Sequence, residues 1–198
     1  MDIQMKNLIE KNFRESIEVK ERTFKECADK IVLASQMIME AFKNGKKILF
    51  FGNGGSAADS QHIAAEFVGR FKKERRALPA IALTTDSSIL TALGNDYSFD
   101  IIFARQIEAL GQRGDIAFGI TTSGNSRDVV AGLEKAKALG LKTITLTGCG
   151  GGKVGQIADI SLIVPSSSTP RIQESHLCIY HSICELVENY FSSPNYSA

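Results

Sequence analysis

Apolar and polar positions change their spacing at residue 46, and this change divides the chain into two parts. Residues 2–44 keep apolar side chains three to four positions apart, as an amphipathic helix requires. Asn44 and Gly45 then end the helical pattern, since glycine readily adopts a positive φ. We expect residues 1–45 to form a helical N-terminal extension that folds back as a hairpin. Its apolar faces would cover the sheet or a partner subunit.

From residue 46 the pattern becomes an alternation of apolar runs, turns and amphipathic segments. The runs are continuously or largely apolar, which is typical of parallel strands that are covered on both faces. Strands are predicted at 47–51, 79–83, 115–120, 142–147 and 160–164. Helices are predicted at 56–71, 88–110, 126–139, 153–157 and 171–191. The alternation predicts an α/β protein, a three-layer αβα sandwich around a five-stranded, parallel, doubly wound sheet.

Length and composition bound the class of protein. The 198 residues are expected to form one domain, with 192–198 as a frayed tail. With 23 basic and 22 acidic residues, the net charge of +1 predicts no nucleic-acid footprint. No apolar stretch reaches the ~20 residues of a membrane span, and the charged N-terminus does not resemble a signal peptide. The four cysteines lack a C-x-x-C pair and are interpreted as reduced thiols of a cytoplasmic protein.

A glycine-rich loop, 52–56 (GNGGS), follows the first predicted strand and opens a helix. Glycine lets the backbone approach oxygen atoms, and a helix start offers unpaired N–H groups, so the loop suits an anionic ligand. The loop also fits G-x-G-x-x-A, but no acidic residue ends the second strand, as a dinucleotide site would require. The P-loop lysine is missing as well. We therefore expect no nucleotide cofactor.

A second loop, 121–126 (TTSGNS), follows the third predicted strand and carries four hydroxyl groups. A serine N-cap with an ordinary turn is the simpler interpretation, but it does not require so many hydroxyls. Hydroxyls and backbone amides together can bind a phosphomonoester through many short hydrogen bonds. Because both loops follow parallel strands, we expect them at the carboxyl edge of the sheet, where the ligand of such a fold lies.

Polar residues form a stripe on the helix after the first loop, where Asp59, His62, Glu66 and Arg70 are three or four positions apart. His62 and Glu66 are close enough to share a proton, a substrate or a metal ion, although a solvated helix face gives the same pattern. Arg70 opens the basic cluster 70–76, which we interpret as a solvated helix end and connector. The alternative is that Arg70 reaches the anion site.

The last predicted helix carries two histidines on different faces. His176 lies on the apolar stripe and is predicted to be a core residue. His181 shares the opposite, polar face with Glu174, Glu185 and Glu188. It is either an exposed side chain or an acid or ligand for a site that another part of the assembly builds. Earlier in the chain, Asn95-Asp96 is either a helix C-cap turn or a polar contact for sugar hydroxyls.

These motifs together resemble the sugar isomerase (SIS) fold family over nearly the whole chain. The segments that carry the resemblance are 52–57, 62–66, 78–83, 95–96, 122–126, 171–174 and His181. The resemblance implies an aldose–ketose isomerase that converts sedoheptulose 7-phosphate to D-glycero-D-manno-heptose 7-phosphate through a cis-enediol. This is the first step toward activated heptose for lipopolysaccharide core or other surface polysaccharides. Thr121 departs slightly from the serine often found there, and keeps the hydroxyl.

The resemblance also assigns roles, with Glu66 as general base and His181 as general acid. Contacts to the phosphate end are implied for Ser56, Thr121, Thr122, Ser123 and Ser126, and contacts to the sugar for Asn53, Asp96 and Gln173. The other residues predicted to bind the substrate are Gly54, Gly55, Glu66, Arg70 and Asn95. Some members bind one zinc ion per subunit through the residues that match His62, Glu66, Gln173 and His181. The family is cytoplasmic and homotetrameric, with active sites between subunits.

The distance between Gln173 and His181 limits this ligand set. The two residues are eight positions apart, about 12 Å along a continuous helix, so both cannot bind one ion from the same straight helix. Either Gln173 precedes the regular helix, or the two ligands come from different subunits.

Two other functions compete with the isomerase. One is a non-catalytic SIS-fold protein that associates with a replication initiator, and the other is a SIS isomerase for a different sugar phosphate. The presence of both Glu66 and His181 favours catalysis.

Overall fold

The computed structural model describes residues 2–193; Met1 and residues 194–198, which include most of the predicted tail, lie outside the described residues. Seven α-helices are assigned in this range: α1 Asp2–Lys43, α2 Gly55–Val68, α3 Ser87–Asp96, α4 Ile102–Leu110, α5 Arg127–Ala138, α6 Val154–Ile157 and α7 Thr169–Phe191. The strands are β1 Ile48–Gly52, β2 Ala80–Ala82, β3 Ile116–Thr121, β4 Lys142–Thr147 and β5 Ile160–Ile163. No helix among residues 2–193 combines the length and apolar character that a membrane crossing requires.

The five strands form one sheet in the order β2-β1-β3-β4-β5, and every pair is parallel. The predicted five-stranded parallel sheet is therefore confirmed. The chain adds β2 on one side of β1 and then β3, β4 and β5 on the other side. The direction of winding thus reverses between β1 and β3, which is where sheets of this class leave a crevice beyond the carboxyl ends of their strands.

Successive side chains of the strands enter two separate cores, which makes the three layers. In β1, Ile48 and Phe50 belong to the core that α1, α2 and α7 cover, whereas Leu49 and Phe51 belong to the core under α4, α5 and α6. Because strand side chains alternate between faces, a strand buried on both sides is expected to be largely apolar. This burial on both sides is the physical reason for the continuous apolar runs in the sequence.

Helix α1 is one continuous helix of 42 residues, so the predicted N-terminal hairpin was wrong. The sequence from Asp2 to Lys43 contains no glycine or proline that would end a helix, and ion pairs such as Arg14–Glu10 support its exposed turns. Its C-terminal half packs on the sheet, while residues 2–14 are exposed. Asn12 marks the start of its contact with α7, where its carbonyl oxygen accepts a hydrogen bond from Arg171.

The helix predicted over 88–110 is divided in the structure. Helix α3 ends at Asp96, a 3₁₀ turn covers Phe99–Ile101, and α4 begins at Ile102. The hydroxyl of Ser98 accepts a hydrogen bond from the Asp100 N–H at 3.0 Å, which caps the new turn. Serine competes with helical hydrogen bonding in this way, and the period of apolar positions continues across the break.

Candidate active site

The two glycine-rich loops lie side by side at the carboxyl edge of the sheet. Strands β1 and β3 are paired so that Gly52 is opposite Ile120, and each loop begins beside that pair. Gly52 permits this approach, because a Cβ there would lie 2.6 Å from the Ile120 carbonyl oxygen. Asn53 links the loops: its Nδ2 donates to both carboxylate oxygens of Asp128, in the first turn of α5, at 3.0 and 2.8 Å.

In the first loop the backbone is open to the surface at the start of α2. Gly54 holds the N-cap position with a φ of +54°, and no side chain caps this helix start. Gly54 and Gly55 are exposed, whereas Ser56 is buried below them. The geometry therefore presents backbone rather than side-chain groups at the positive end of a helix dipole, where an anion is stabilised.

In the second loop the hydroxyl groups converge on one another. Thr121 Oγ1 lies 2.9 Å from Ser126 Oγ and 3.4 Å from Ser123 Oγ. Ser126 holds the N-cap position of α5 without a side-chain cap bond, so its hydroxyl is directed to Thr121 instead. Gly124, with a φ of +71°, packs so closely on the Gly151 backbone that no side chain fits there. The loop is thus anchored from behind while its hydroxyls cluster.

Helices α2 and α7 run side by side in the same direction and carry a cluster of ionisable groups. We call His62, Glu66 and His181 the His-Glu-His cluster. Each offers one potential ligand atom, and the three atoms lie within 4.8 Å of one another. His62 Nε2 is 3.1 Å from Glu66 Oε1, and the His62 and His181 ring centroids are 5.2 Å apart. The Nε2 atom of His181 is buried without a hydrogen-bond partner.

The opposite nitrogen of His62 faces a buried tyrosine. Tyr180 Oη lies 3.1 Å from His62 Nδ1 and donates a hydrogen bond to Asp59 Oδ1 at 3.3 Å. Burial raises the pKa of the Asp59 carboxyl, and the hydrogen bond from Tyr180 opposes that shift. Burial, and to a smaller extent the charge of His62, lowers the pKa of His181. Both directions are those expected for groups withdrawn from water.

Gln173 lies apart from the His-Glu-His cluster. Helix α7 begins at Thr169, so Gln173 and His181 are both on one regular helix, and the alternative that Gln173 precedes the helix was wrong. The Gln173 amide instead packs over Gly55, at the first loop, where an added Cβ would collide with it. Within one subunit the structure therefore brings together three of the four predicted metal ligands, and Gln173 joins the loop.

Three further predicted residues lie outside both the loops and the cluster. Arg70 follows the end of α2 and its Nε is 3.0 Å from Glu74, so the guanidinium is directed to a neighbour and away from the loops. Asn95 and Asp96 are exposed at the end of α3, joined by a 2.8 Å hydrogen bond. The turn that follows them brings Asp100 within 3.8 Å of Arg127, just after the second loop.

Part of the basic connector is buried, which corrects the interpretation of residues 70–76 as solvated. The Arg75 and Glu188 side chains are only 1% and 2% exposed and face each other at 3.6 Å. The polar face of α7 is therefore not solvated at Glu188. Periodicity alone does not reveal such a pair, because its two members are more than a hundred residues apart. His176, by contrast, is fully buried in the core as predicted.

Tyr180 and Asp128 are the two polar residues near the site that the sequence did not single out. Tyr180 stands on an apolar stripe, where a tyrosine is expected to be a core residue. Asp128 follows the second loop and reads as an ordinary acidic residue in the first turn of a helix. Of the polar residues that contact Tyr180 or His62 here, Asp59 could be recognised from the sequence, because it shares the polar stripe of His62 and Glu66.

Comparison with known proteins gives the class to which this fold and this pair of loops belong. The family model of the SIS domain matches residues 12–148. Among curated proteins, the phosphoheptose isomerase of Aquifex aeolicus is 63% identical over 91% of this chain and 94% of its own length. That of Nitratiruptor is 54% identical over 92% of this chain and 98% of its own length.

The solved structure of phosphoheptose isomerase from Neisseria gonorrhoeae is 41% identical, covers 93% of this chain and 99% of its own, and superposes with a TM-score of 0.89. The solved structure from Francisella tularensis is 39% identical, covers 92% of this chain and 97% of its own, and has a TM-score of 0.90. The chain therefore belongs to the SIS domain family and, within it, to the phosphoheptose isomerases.

Proposed function

We propose that the protein is an aldose–ketose isomerase that converts sedoheptulose 7-phosphate to D-glycero-D-manno-heptose 7-phosphate. The observation that carries the proposal is the pairing of the two loops at adjoining strands, in a chain 63% identical to a phosphoheptose isomerase. The hydroxyls of Ser56, Thr121, Thr122, Ser123 and Ser126 hold the phosphate with the backbone of Gly54 and Gly55. Asn53, Asn95, Asp96 and Gln173 contact the sugar.

The reaction moves a carbonyl from C2 to C1 and needs two kinds of proton transfer. The Glu66 carboxylate takes a proton from C1 and returns it to C2, through a cis-enediol. His181 donates to and accepts from the substrate oxygens, since an imidazole can do both near neutral pH. These roles suit the two side chains, because Glu66 is half-buried and His181 Nε2 has no protein partner.

The separation between the loops and the base supports an active site that two subunits share. Gly55 and Glu66 are eleven residues apart on α2, about 16 Å along the helix axis. This is longer than the span from the phosphate to C1 of a heptose phosphate. In the proposed arrangement, the loops of one subunit hold the phosphate while Glu66 and His181 of a neighbouring copy reach C1.

Apolar side chains on α1 support the proposal of a homotetramer. Phe13 and Phe24 are 69% and 70% exposed, and Leu8 and Ile17 also lie on the surface of the isolated subunit. Large exposed apolar patches of this kind are typical of protein interfaces. Light scattering coupled to size exclusion should give four chains per particle, and Phe24→Glu should lower that number. A monomeric wild-type protein would contradict the shared active site.

The residues present fit a zinc ion, which some members of the family bind. His62, Glu66 and His181 supply the nitrogen and oxygen donors that zinc prefers, and His181 Nε2 is buried without a protein partner. Gln173 would come from another subunit. Bound zinc would act as a Lewis acid on the substrate oxygens. Glu66 would then be a weaker base, so ligation and proton abstraction compete for one carboxylate.

Incubation with sedoheptulose 7-phosphate, followed by NMR, tests the reaction. The aldose product should appear, while fructose 6-phosphate and ribulose 5-phosphate, the matched controls of different length, should react far more slowly. A preference for either control would favour a SIS isomerase for a different sugar phosphate.

Exhaustive chelation with elemental analysis tests whether zinc is required. Activity should fall with the metal content and return when zinc is added. Full activity without metal would remove zinc from the proposal.

The proposal places the enzyme in the cytoplasm, where it supplies heptose for lipopolysaccharide core or another surface polysaccharide. Deletion of the gene should shorten or remove heptose-containing glycans, and Glu66→Gln should fail to restore them. Cell fractionation tests the compartment separately.

A further inference from the structure

The hydrogen bonds around Tyr180 have a direction, and that direction determines which nitrogen of His62 carries a proton. Tyr180 is fully buried, and its hydroxyl lies between Asp59 Oδ1 at 3.3 Å and His62 Nδ1 at 3.1 Å. A hydroxyl has one proton to donate and lone pairs to accept with. An ionised Asp59 carboxylate has no proton to give, so its Oδ1 can only accept the proton of the Tyr180 hydroxyl.

Since the Tyr180 proton is committed to Asp59, the hydroxyl can meet His62 only as an acceptor. His62 Nδ1 must then donate, which leaves the lone pair of a neutral imidazole on Nε2. That lone pair is directed at Glu66 Oε1, 3.1 Å away. Two acceptor atoms at this distance repel each other unless a proton or a cation lies between them.

We infer that Tyr180, held by Asp59, is a positioning residue that keeps His62 in the Nδ1–H tautomer, with its Nε2 lone pair available to a cation shared with Glu66 and His181. A free imidazole in water is not held in one tautomer in this way. Among the described residues, no hydrogen-bond partner of His62 Nδ1 other than Tyr180 is found, so Tyr180 supplies the constraint on the tautomer. Partners of this kind orient a metal-ligating histidine and fix its tautomer.

The packing around Tyr180 restricts the same ring as well. The Tyr180 ring makes edge contacts with His62 and His181, with centroid distances of 5.5 and 4.9 Å. One buried side chain therefore lies against both histidines of the His-Glu-His cluster. Tyr180→Phe keeps these ring contacts and removes only the hydroxyl, so it separates the hydrogen bond from the packing.

The tautomer can be measured without any metal. In protein labelled with ¹⁵N-histidine, cleared of metal by chelation and held at about pH 8, the chain's three histidines give few imidazole signals, and the ¹⁵N shifts report which nitrogen of each ring carries a proton. Wild-type His62 should show a protonated Nδ1 and an unprotonated Nε2. Tyr180→Phe should shift the population toward Nε2–H. Asp59→Ala should do the same, because the freed Tyr180 hydroxyl can then donate to Nδ1.

Tyr190→Phe is the matched control, since it removes a hydroxyl ten residues further along α7 and should leave the His62 signals unchanged. A wild-type His62 with its proton on Nε2 would overturn the inference. So would an unchanged tautomer in both Tyr180→Phe and Asp59→Ala.

Only the metal-binding consequence rests on the proposed function. Titration with Co²⁺, followed by visible absorption, should show about 10–100-fold weaker binding in Tyr180→Phe and unchanged binding in Tyr190→Phe. Equal affinity in wild type and Tyr180→Phe would overturn the positioning role. Wild-type protein that binds no cobalt would instead count against the metal in the proposed function, while the ¹⁵N measurement still decides the tautomer.

Discussion

Helices α2 and α7 hold two polar clusters along one shared seam, and the carboxylates of the two clusters are hydrogen-bonded to very different degrees. At the far end, Glu188 accepts hydrogen bonds from the backbone N–H groups of Phe71, Lys72 and Lys73 at 2.6–2.9 Å and faces Arg75. Burial would raise the pKa of Glu188, but these hydrogen bonds and the Arg75 charge outweigh it and lower the pKa. We call this pair and its contacts the Glu188 clamp.

The His-Glu-His cluster, two turns earlier on α7, is left incomplete. His181 Nε2 has no partner, and among the described residues the Glu66 carboxylate has a single hydrogen-bond partner, His62 Nε2 at 3.1 Å. A buried polar atom without a partner costs stability, and Arg75 Nε in the Glu188 clamp and both ring nitrogens of His176 are in the same position as His181 Nε2. The two clusters differ in their carboxylates, because Glu188 is hydrogen-bonded within the fold whereas Glu66 keeps acceptor capacity for a substrate proton or a cation.

The largest expected effect is on turnover in Glu66→Gln. Removing a general base costs roughly 10²–10⁴-fold, so kcat should fall by about 10³, while the thermal midpoint and the oligomeric state stay near wild type. Steady-state kinetics with sedoheptulose 7-phosphate measure this. Glu134→Gln, the same change on the exposed surface of α5, is the control. Normal turnover in Glu66→Gln would remove Glu66 as the base.

The opposite result is expected for Glu188→Gln. Breaking a buried ion pair on one side leaves Arg75 uncompensated and should cost about 3 kcal/mol of unfolding free energy. This corresponds to a thermal midpoint roughly 6–12 °C lower. The folded fraction should retain most of its turnover at low temperature. Glu185→Gln removes a carboxylate from an exposed pair with Lys72 and should change the midpoint little. A Glu188→Gln protein that is as stable as wild type but inactive would contradict this assignment, because Glu188 would then act in catalysis and not in stability.

His176 is a histidine of the hydrophobic core, in contrast to the two histidines of the His-Glu-His cluster. Burial lowers its pKa from 6.5 to about 4. The unfolded chain therefore binds a proton that the folded protein excludes, so stability is complete above about pH 6.5 and falls as the pH decreases toward 4. The loss should reach about 3 kcal/mol. Denaturant melts across this range should show a weaker pH dependence in His176→Gln, and an equal dependence would contradict the assignment.

The smallest expected effect is on His181→Ala, which should reduce the rate at least tenfold, because a proton donor to the substrate oxygens is lost. The side chain is only partly buried, so the cost in stability should be small. Leu177→Ala, at an exposed position four residues earlier on α7, is the control. An unchanged rate in His181→Ala would make His181 a surface residue with no part in the reaction.

The sequence predicted the sheet and the loops because their rules are local. A strand covered on both faces is largely apolar, as in Ile48–Gly52, and a loop that directly follows a parallel strand lies at the carboxyl edge. The hairpin prediction for α1 failed because a long helix whose end extends beyond the core has the same periodicity as two shorter ones. The Arg75–Glu188 pair and the Tyr180 contacts join distant segments, so neither spacing nor composition contains them.

The parallel course of α2 and α7 has a consequence for the bound and free states. Gln173 packs on Gly55, so both helices start at the same corner, and their electropositive ends repel each other there. Both helix starts favour negative charge at this corner, so an anionic ester held there should interact with α2 and α7 together. We expect the protein to resist heat and proteolysis better with such a ligand bound, because a ligand that binds only the folded state stabilises it.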